Sequence, residues 1–208
     1  MTEVQTVPIK ISTLDKALSY KEYRTLIERL LKQDKTTGEN HSEAMVHYTK
    51  MNVHRMKRLD KRTELTEELS LKLREINREM IWLVLTEAWC GDAAQLIPVI
   101  QKMADESDKI TTQYILRDQN LEIMDQFLTN GRSRSIPKLI CIDAETFEIL
   151  GSWGPRPETT QDFYQSQKDD PEISGKKAAE NLHKWYAVDG TQSIQNEFLD
   201  MLDKWQAV

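Results

Sequence analysis

The stretch Met80 to Pro98, MIWLVLTEAWCGDAAQLIP, decides the fold. Met80 to Leu85 is a short continuous apolar run with a tryptophan and a valine, which predicts a strand covered on both faces. Beyond Glu87, Ala88, Trp89, Cys90, Gly91 and Asp92, the residues Ala93, Ala94, Leu96, Ile97, Val99, Ile100 and Met103 recur as the apolar positions of a helix. Cys90 therefore falls where a buried strand ends and a helix begins. A thiol there faces unpaired backbone N–H groups and the positive end of the helix dipole, which stabilise the thiolate and lower its pKa. That position makes Cys90 a nucleophile candidate. Asp92 acts in the opposite sense, because a carboxylate two residues away raises the thiol pKa while itself gaining from the dipole.

Working outward, Ile110 to Leu116 alternates enough to be a second strand, which completes a strand–helix–strand unit and makes a parallel pair the expectation. Asp118 is placed to cap a further helix through Leu121, Met124, Phe127 and Leu128, closed by Gly131. Pro137 to Ile142 is a third apolar run. Asp143, Ala144, Glu145 and Thr146 read as a hairpin turn into a fourth strand from Phe147 to Trp153. Beyond Gly154 the chain is polar and helical, interrupted around Asp169, Asp170, Pro171 and at Asp189, Gly190. A last helix is expected over Thr191–Trp205 with Phe198, Leu199, Leu202 and Trp205 as its buried stripe.

The first 78 residues read as helices. Tyr20, Tyr23, Leu26, Ile27, Leu30 and Leu31 recur at helical spacing up to the breaker stretch from Thr36 to Asn40. Met45, Tyr48, Met51 or Asn52, and Met56 line a second helix from His41 to about Asp60, and Leu65, Leu69, Leu73 and Ile76 a third. The expected division is an N-terminal helical extension over 1–78 and an α/β domain over 79–208.

Composition narrows the function classes. Of 208 residues 39% are hydrophobic and 30% charged, and the mean hydropathy is −0.61, the profile of a soluble globular chain rather than a disordered one. No run approaches the roughly 20 apolar residues of a membrane span, and Met1 to Thr13 lacks the pattern of a secretion signal, so a cytoplasmic location is expected. A formal charge of −6, from 28 basic and 34 acidic residues, opposes general attraction to nucleic acid or to an anionic membrane. Cys90 and Cys141 are the only cysteines, too few for a disulfide scaffold or a cysteine-built zinc site.

Trp89, Cys90 and Gly91 at a strand-to-helix junction, Pro98 eight residues beyond the cysteine, and the loop Ser135, Ile136, Pro137 ahead of a strand–turn–strand segment ending near Gly154 together resemble the thioredoxin-like superfamily. Its members carry Trp-Cys-Gly-Pro-Cys at this junction. The resemblance covers about residues 80–154. It implies a three-layer α/β/α sandwich with a mixed sheet, here with an N-terminal helical extension and extended C-terminal helices. It also implies that Pro137 is a cis-proline beside the thiol and that Pro98 bends the active-site helix.

The departures shape the functional expectation. Asp92 stands where the family has proline and Ala93 where it has the second cysteine, so a two-cysteine cycle is unavailable at this motif. The family's buried acid would fall near Val84, and Glu87 is the carboxylate closest to that place in sequence. Cys141 lies four residues beyond Pro137, about 13 Å along an extended strand, whereas bridged cysteines have Cα atoms within about 7 Å. It reads as a packing residue. What remains is single-cysteine thiol–disulfide exchange with Cys90 as nucleophile, resolved by an external thiol. Partners would be a disulfide-containing protein or a small thiol, with no cofactor and no metal. Trp89, Gly91, Asp92, Ser135, Ile136 and Pro137 are the candidate binding residues, and Glu87, Ala93 and Pro98 the candidate supporting residues. The rival expectation is a noncatalytic module that holds a polypeptide in a Trp89/Pro137 groove while Cys90 stays idle.

Weaker signals surround these. Arg132, Arg134 and Lys138 could attract an anion, although a solvated basic loop is the commoner arrangement. His47 and His54 share a helix face, but at a spacing of seven and without further ligands they, and His41, read as surface or packing histidines. Asn52, Arg55 and Arg58 form a row one turn apart on a basic, methionine-bearing helix.

Overall fold

The computed structural model of the protein describes Ile9 and residues 11–207. The expectation drawn from Met1 to Thr13 falls mostly outside the described residues.

The apolar run becomes β1 (Met80–Thr86), and the second and third runs become β2 (Ile110–Leu116) and β3 (Lys138–Asp143), with β4 at Ile149–Trp153. The sheet order is β2-β1-β3-β4. β1 runs parallel to β2, pairing Met80 with Ile110, and antiparallel to β3, which is antiparallel to β4. β3 is buried at every position and β1 at all but Ile81. Continuous burial of this kind means cover on both faces, which is why these strands read as unbroken apolar runs rather than as alternation.

Three short helical pieces and one long one precede the sheet: α1 (Ile11–Leu14), α2 (Tyr20–Leu31), α3 (Glu43–Arg62) and α4 (Glu67–Arg74). α2 opens on a capping box between Ser19 and Glu22, and Thr66 caps α4. Between β1 and β2 lies α5 (Gly91–Ala104), which contains Pro98 and packs against α3. After β4 come α7 (Glu158–Asp169), α8 (Gly175–Asp189) and α9 (Gln192–Ala207), with α6 (Leu121–Met124) standing between β2 and β3.

Strand register places α5 and α9 on the same face of the sheet. Residues paired across a sheet share a face, and Thr112, Trp82 and Cys141 form one such row. At one end Thr112 Oγ1 donates to Gln101 of α5 at 2.8 Å. In the middle Trp82 meets Phe198 and Trp205 of α9 edge-on, at 5.4 and 5.9 Å between centroids. Gly151 continues the row, and a methyl there would collide with the Trp205 indole. The core cluster runs from Ile9 through Leu69 and Leu73 to Trp205, so helices on both sides of residue 79 share it.

Two elements depart from expectation. The helix expected from Asp118 through Leu128 shrinks to a 3-10 turn, Arg117–Gln119, and the single turn of α6. Its intended cap is engaged elsewhere: the Asp118 N–H donates to Glu87 Oε1 at 3.0 Å and its carboxylate takes Arg117. Asn120 Nδ2 turns back to the Leu116 carbonyl. Thr129 and Ser133 then bridge, which folds the remaining residues into turns. The fourth strand starts at Ile149 rather than Phe147. Phe147 sits at φ 60 and gives its N–H to the Asp143 carbonyl, which keeps it in the turn.

Candidate functional site

Cys90 is the N-cap of α5, with φ −76 and ψ 120. Its Sγ accepts the Ala93 N–H at 3.5 Å and its thiol donates to the Ile136 carbonyl at 3.3 Å. The Ile136–Pro137 peptide bond is cis, as the loop Ser135, Ile136, Pro137 led us to expect. The motif and the loop, 46 residues apart in sequence, therefore meet at one atom. Cys90 is only 9% exposed, Ile136 and Pro137 are buried, and Ser135 is half-buried with its hydroxyl bonded to Ser133.

Two influences compete for the thiol. The helix start and the N–H groups of Ala93 and Asp92 favour the thiolate. Burial and the Asp92 charge disfavour it more strongly, and together they push the Cys90 thiol up to about 12. The resting group is a neutral thiol sharing its proton with a carbonyl.

Asp92 anchors a network that the motif alone does not reveal. Tyr186 Oη of α8 donates to its Oδ1 at 2.7 Å, and Arg156 Nη2, from the loop ahead of α7, donates to its Oδ2 at 2.7 Å. Arg156 also bonds Gln161 and stacks 4.5 Å over the Tyr164 ring. All members are largely buried, so the pair is shielded from the screening that weakens surface ion pairs. His183, one turn before Tyr186, packs on Gly91: a Cβ at 91 would lie 2.8 Å from its Cε1 and 3.0 Å from its Nε2. Gly91 thus serves close approach of a side chain to the backbone. Burial foremost, then Arg55, pushes the imidazole down to about 4, and its buried Nδ1 has no partner among the described residues. α3 closes the other side, where Asn52 Nδ2 donates to the Ala88 carbonyl at 2.9 Å and Arg55 donates to Asn52 Oδ1 at 2.7 Å.

The flanking residues fall into distinct places. Trp89 is half-buried, with the Arg117 guanidinium 5.0 Å from its ring centroid, and Gly38 of the α2–α3 loop comes close to its indole nitrogen. Glu87 is fully buried, and desolvation raises its carboxyl above the ordinary range despite hydrogen bonds from Thr37 and the Asp118 N–H, while its Oε2 has no hydrogen-bond partner among the described residues. Its Oε1 accepts the Asp118 N–H just beyond the end of β2. Ala93 contributes its N–H, while Pro98 lies inside α5. Cys141 is fully buried, and its thiol contacts the sulfur of Met80. Both cysteines are free.

Of the loop cations, Arg134 is bound to Asp125 and Lys138 is buried with its Nζ on the Gly154 carbonyl, leaving Arg132 exposed. His41 accepts the Thr36 N–H, whereas His47 and His54 are exposed on α3. Among the described residues no group of three or more histidine, cysteine or acidic side chains could hold a metal, and no helix is long and apolar enough to cross a membrane. Tyr186, Arg156 and His183 escaped sequence reasoning, since no short spacing links residues 156–186 to position 92.

Comparison with known proteins places this architecture. A crystal structure of a protein of unknown function from Pseudomonas aeruginosa superposes with a TM-score of 0.56 at 18% identity, covering 89% of this chain and 98% of that one. A crystal structure of an HIV epitope-scaffold gives 0.54 at 19% identity, with the same shares of 89% and 98%. At these identities the likeness is one of fold. No curated protein matches the chain. The sequence model of the family described as Thioredoxin matches residues 38–169, more than half of the chain and inclusive of the whole motif and its loop. By that match the chain belongs to the thioredoxin family.

Proposed function

We propose that the protein carries out single-cysteine thiol–disulfide exchange in the cytoplasm, with Cys90 as its nucleophile and an external thiol as resolver. The observation that carries this reading is the seat of Cys90 Sγ between the Ala93 N–H and the Ile136 carbonyl, at the start of α5 and beside cis-Pro137. In the exchange the Cys90 proton passes to solvent and the thiolate attacks one sulfur of a disulfide. That S–S bond breaks, a mixed disulfide forms on Cys90, and the other sulfur leaves as a thiolate. The Ala93 N–H supports the anionic sulfur. A second thiol then attacks the mixed disulfide and restores Cys90, because position 93 offers no internal thiol. Two free cysteines and no disulfide suit a reducing compartment.

A second reading is favoured by one observation, the burial that pushes the thiol up to about 12. Under it Cys90 is a packing residue and the domain binds a polypeptide without redox work. The test is the rate of mixed-disulfide formation with neutral bis(2-hydroxyethyl) disulfide, resolved for Cys90 and Cys141 by peptide mass spectrometry, with Cys90→Ser as control. Exchange at Cys90 at least about tenfold faster than at Cys141 is expected. Equal, slow modification of both cysteines would transfer support to the binding reading.

A further inference from the structure

Beside the thiol, α3 presents a cation, Arg55, that feels the Asp92 charge but forms no ion pair among the described residues. Arg55 is half-buried and approaches within 3.7 Å of the point a Cβ on Gly91 would occupy. Among the described residues its one hydrogen bond goes to a neutral acceptor, Asn52 Oδ1. The nearby carboxylate of Asp92 has both oxygens taken, by Tyr186 and Arg156. Arg58 and Arg62, three and seven residues on, continue the same face of α3 and are exposed. Among the described residues none of these three arginines forms an ion pair. Across Gly91, the His183 Nδ1 is buried and unbonded.

A half-buried guanidinium without a direct ion-pair partner is costly, and most of its five donors remain to be used. A carboxylate is its natural complement, since guanidinium binds carboxylates in a two-bond fork. In a chain of net charge −6 the local field at this rim is opposite in sign to the whole. Such a rim raises the local concentration of anions without attracting them elsewhere.

We propose that Arg55, supported by Arg58, forms a carboxylate-binding subsite at the rim of Gly91, and that the disulfide exchanged at Cys90 is a small one bearing carboxylates. The subsite orients one arm of such a disulfide while Cys90 displaces the other. One S–S bond is consumed and one is formed, the released arm departs as a thiolate, and the Cys90 proton goes to solvent. The substrate class rests on the exchange reading above, whereas anion binding at Arg55 does not require it.

The test uses three disulfides of different charge on the full chain: 3,3′-dithiodipropionate, bis(2-hydroxyethyl) disulfide and cystamine. At low salt the anionic reagent is expected to modify Cys90 about tenfold or more faster than the cationic one, within the range of electrostatic enhancement of association. That ratio is expected to fall at least about fivefold in Arg55→Gln and in the exposed Arg58→Gln, and to collapse towards unity near 1 M salt, where the Debye length is about 3 Å. Lys102→Gln, in the last turn of α5, is expected to keep it. A ratio near one in the wild-type chain, or one unchanged by both arginine variants, would overturn the subsite. Binding is read separately with the unreactive thioether 3,3′-thiodipropionate on Cys90→Ser, followed by tryptophan fluorescence. Saturable binding weakened at least about fivefold by Arg55→Gln supports the subsite even where no disulfide reacts, an outcome that removes only the exchange reading. Reaction with the neutral disulfide but no thioether binding removes only the subsite.

Discussion

Replacing Asp92 by asparagine isolates the electrostatic hold on the thiol. After burial, the Asp92 charge is the strongest influence raising Cys90, and Arg156, its ion-pair partner at 2.7 Å, pulls the other way. At a separation on the order of 7 Å, two unit charges interact by about 2.4 kcal/mol at an effective dielectric of about 20, equivalent to about fiftyfold in a protonation equilibrium. Losing that repulsion lowers the thiol pKa by about as much and increases the thiolate fraction at neutral pH by about fiftyfold. Nucleophilicity falls with pKa, with a Brønsted slope of about 0.45, so about sixfold is given back and the net gain in reaction rate is about eightfold. The assay is iodoacetamide alkylation from pH 6 to 10, with the Cys90 and Cys141 peptides followed by mass spectrometry. The asparagine leaves Arg156 without its anion, and breaking a buried pair costs about 3–5 kcal/mol, so unfolding must be distinguished from activation. Cys141 does so, because it is buried on β3 and reacts together with Cys90 only when the fold opens globally. A Cys90 that alkylates no faster in Asp92→Asn, with Cys141 still protected, would refute the argument that this carboxylate adds to burial in raising the thiol.

Three further predictions concern the frame around the site. Lys138 is buried and held down to about 8 from 10.5 by desolvation, so between those values the unfolded chain binds the extra proton and stability rises with pH. Lys138→Met is expected to raise Tm at pH 7 and to flatten the rise between pH 8 and 9.5, and an unchanged slope in thermal melts would contradict the assignment. Asp143, held at about 2 by the Thr146 and Glu145 N–H groups and by Arg78, contributes stability above its unfolded pKa of about 3.9 that disappears as pH falls towards 2. Asp143→Asn is expected to cost roughly 1–3 kcal/mol at pH 7 and much less at pH 2, read from urea melts at both. Gly151→Ala drives a methyl into the Trp205 indole and is expected to cost about 1–3 kcal/mol, so an unfolding free energy from guanidinium melts within about 0.5 kcal/mol of wild type would show that the helix yields.

The sheet was legible because its strands carry two independent signals. β1 and β3 are continuous apolar runs, as burial on both faces requires, and the helix between β1 and β2 switches to a period of 3.6 at Ala93. The errors fell where a local signal had a tertiary competitor. Asp118 and Gly131 bracket a respectable helix, but the Asp118 N–H serves Glu87 and Asn120 serves Leu116, so the cap never forms. Phe147 reads as a strand residue by type, yet its N–H closes the turn onto Asp143. The Asp118 partner lies 31 residues away, beyond any local window, whereas the Asn120 and Phe147 bonds each close over four residues and compete with helix and strand at short range. The family match begins at residue 38, well ahead of Met80 where the resemblance became readable, because helices that contribute to a shared core carry no motif of their own.

At the site, sequence supplied the place of Cys90 at the start of α5 and its contact with the Pro137 loop, since both follow from a strand-to-helix junction and a proline. It left the balance between helix dipole and Asp92 open, and that balance is set by residues no spacing could reveal. The Asp92 charge would be weak in water, but Arg156 and Tyr186 hold it in a dry layer where its effect on Cys90 persists. The same two bonds occupy both of its oxygens, so Arg55, although it feels the Asp92 charge, has no direct hydrogen-bonded ion pair with it across Gly91. One carboxylate therefore does two things at once. It adds to the burial that keeps the thiol protonated at rest, and by being committed to Arg156 and Tyr186 it leaves the α3 arginines beside that thiol without a direct partner. An incoming carboxylate at Arg55 would restore charge balance on α3 without touching the Asp92 network, so binding at the rim and activation of Cys90 are separable. Arg55→Gln and Asp92→Asn should accordingly change different quantities, the first the preference among disulfides and the second the thiol pKa.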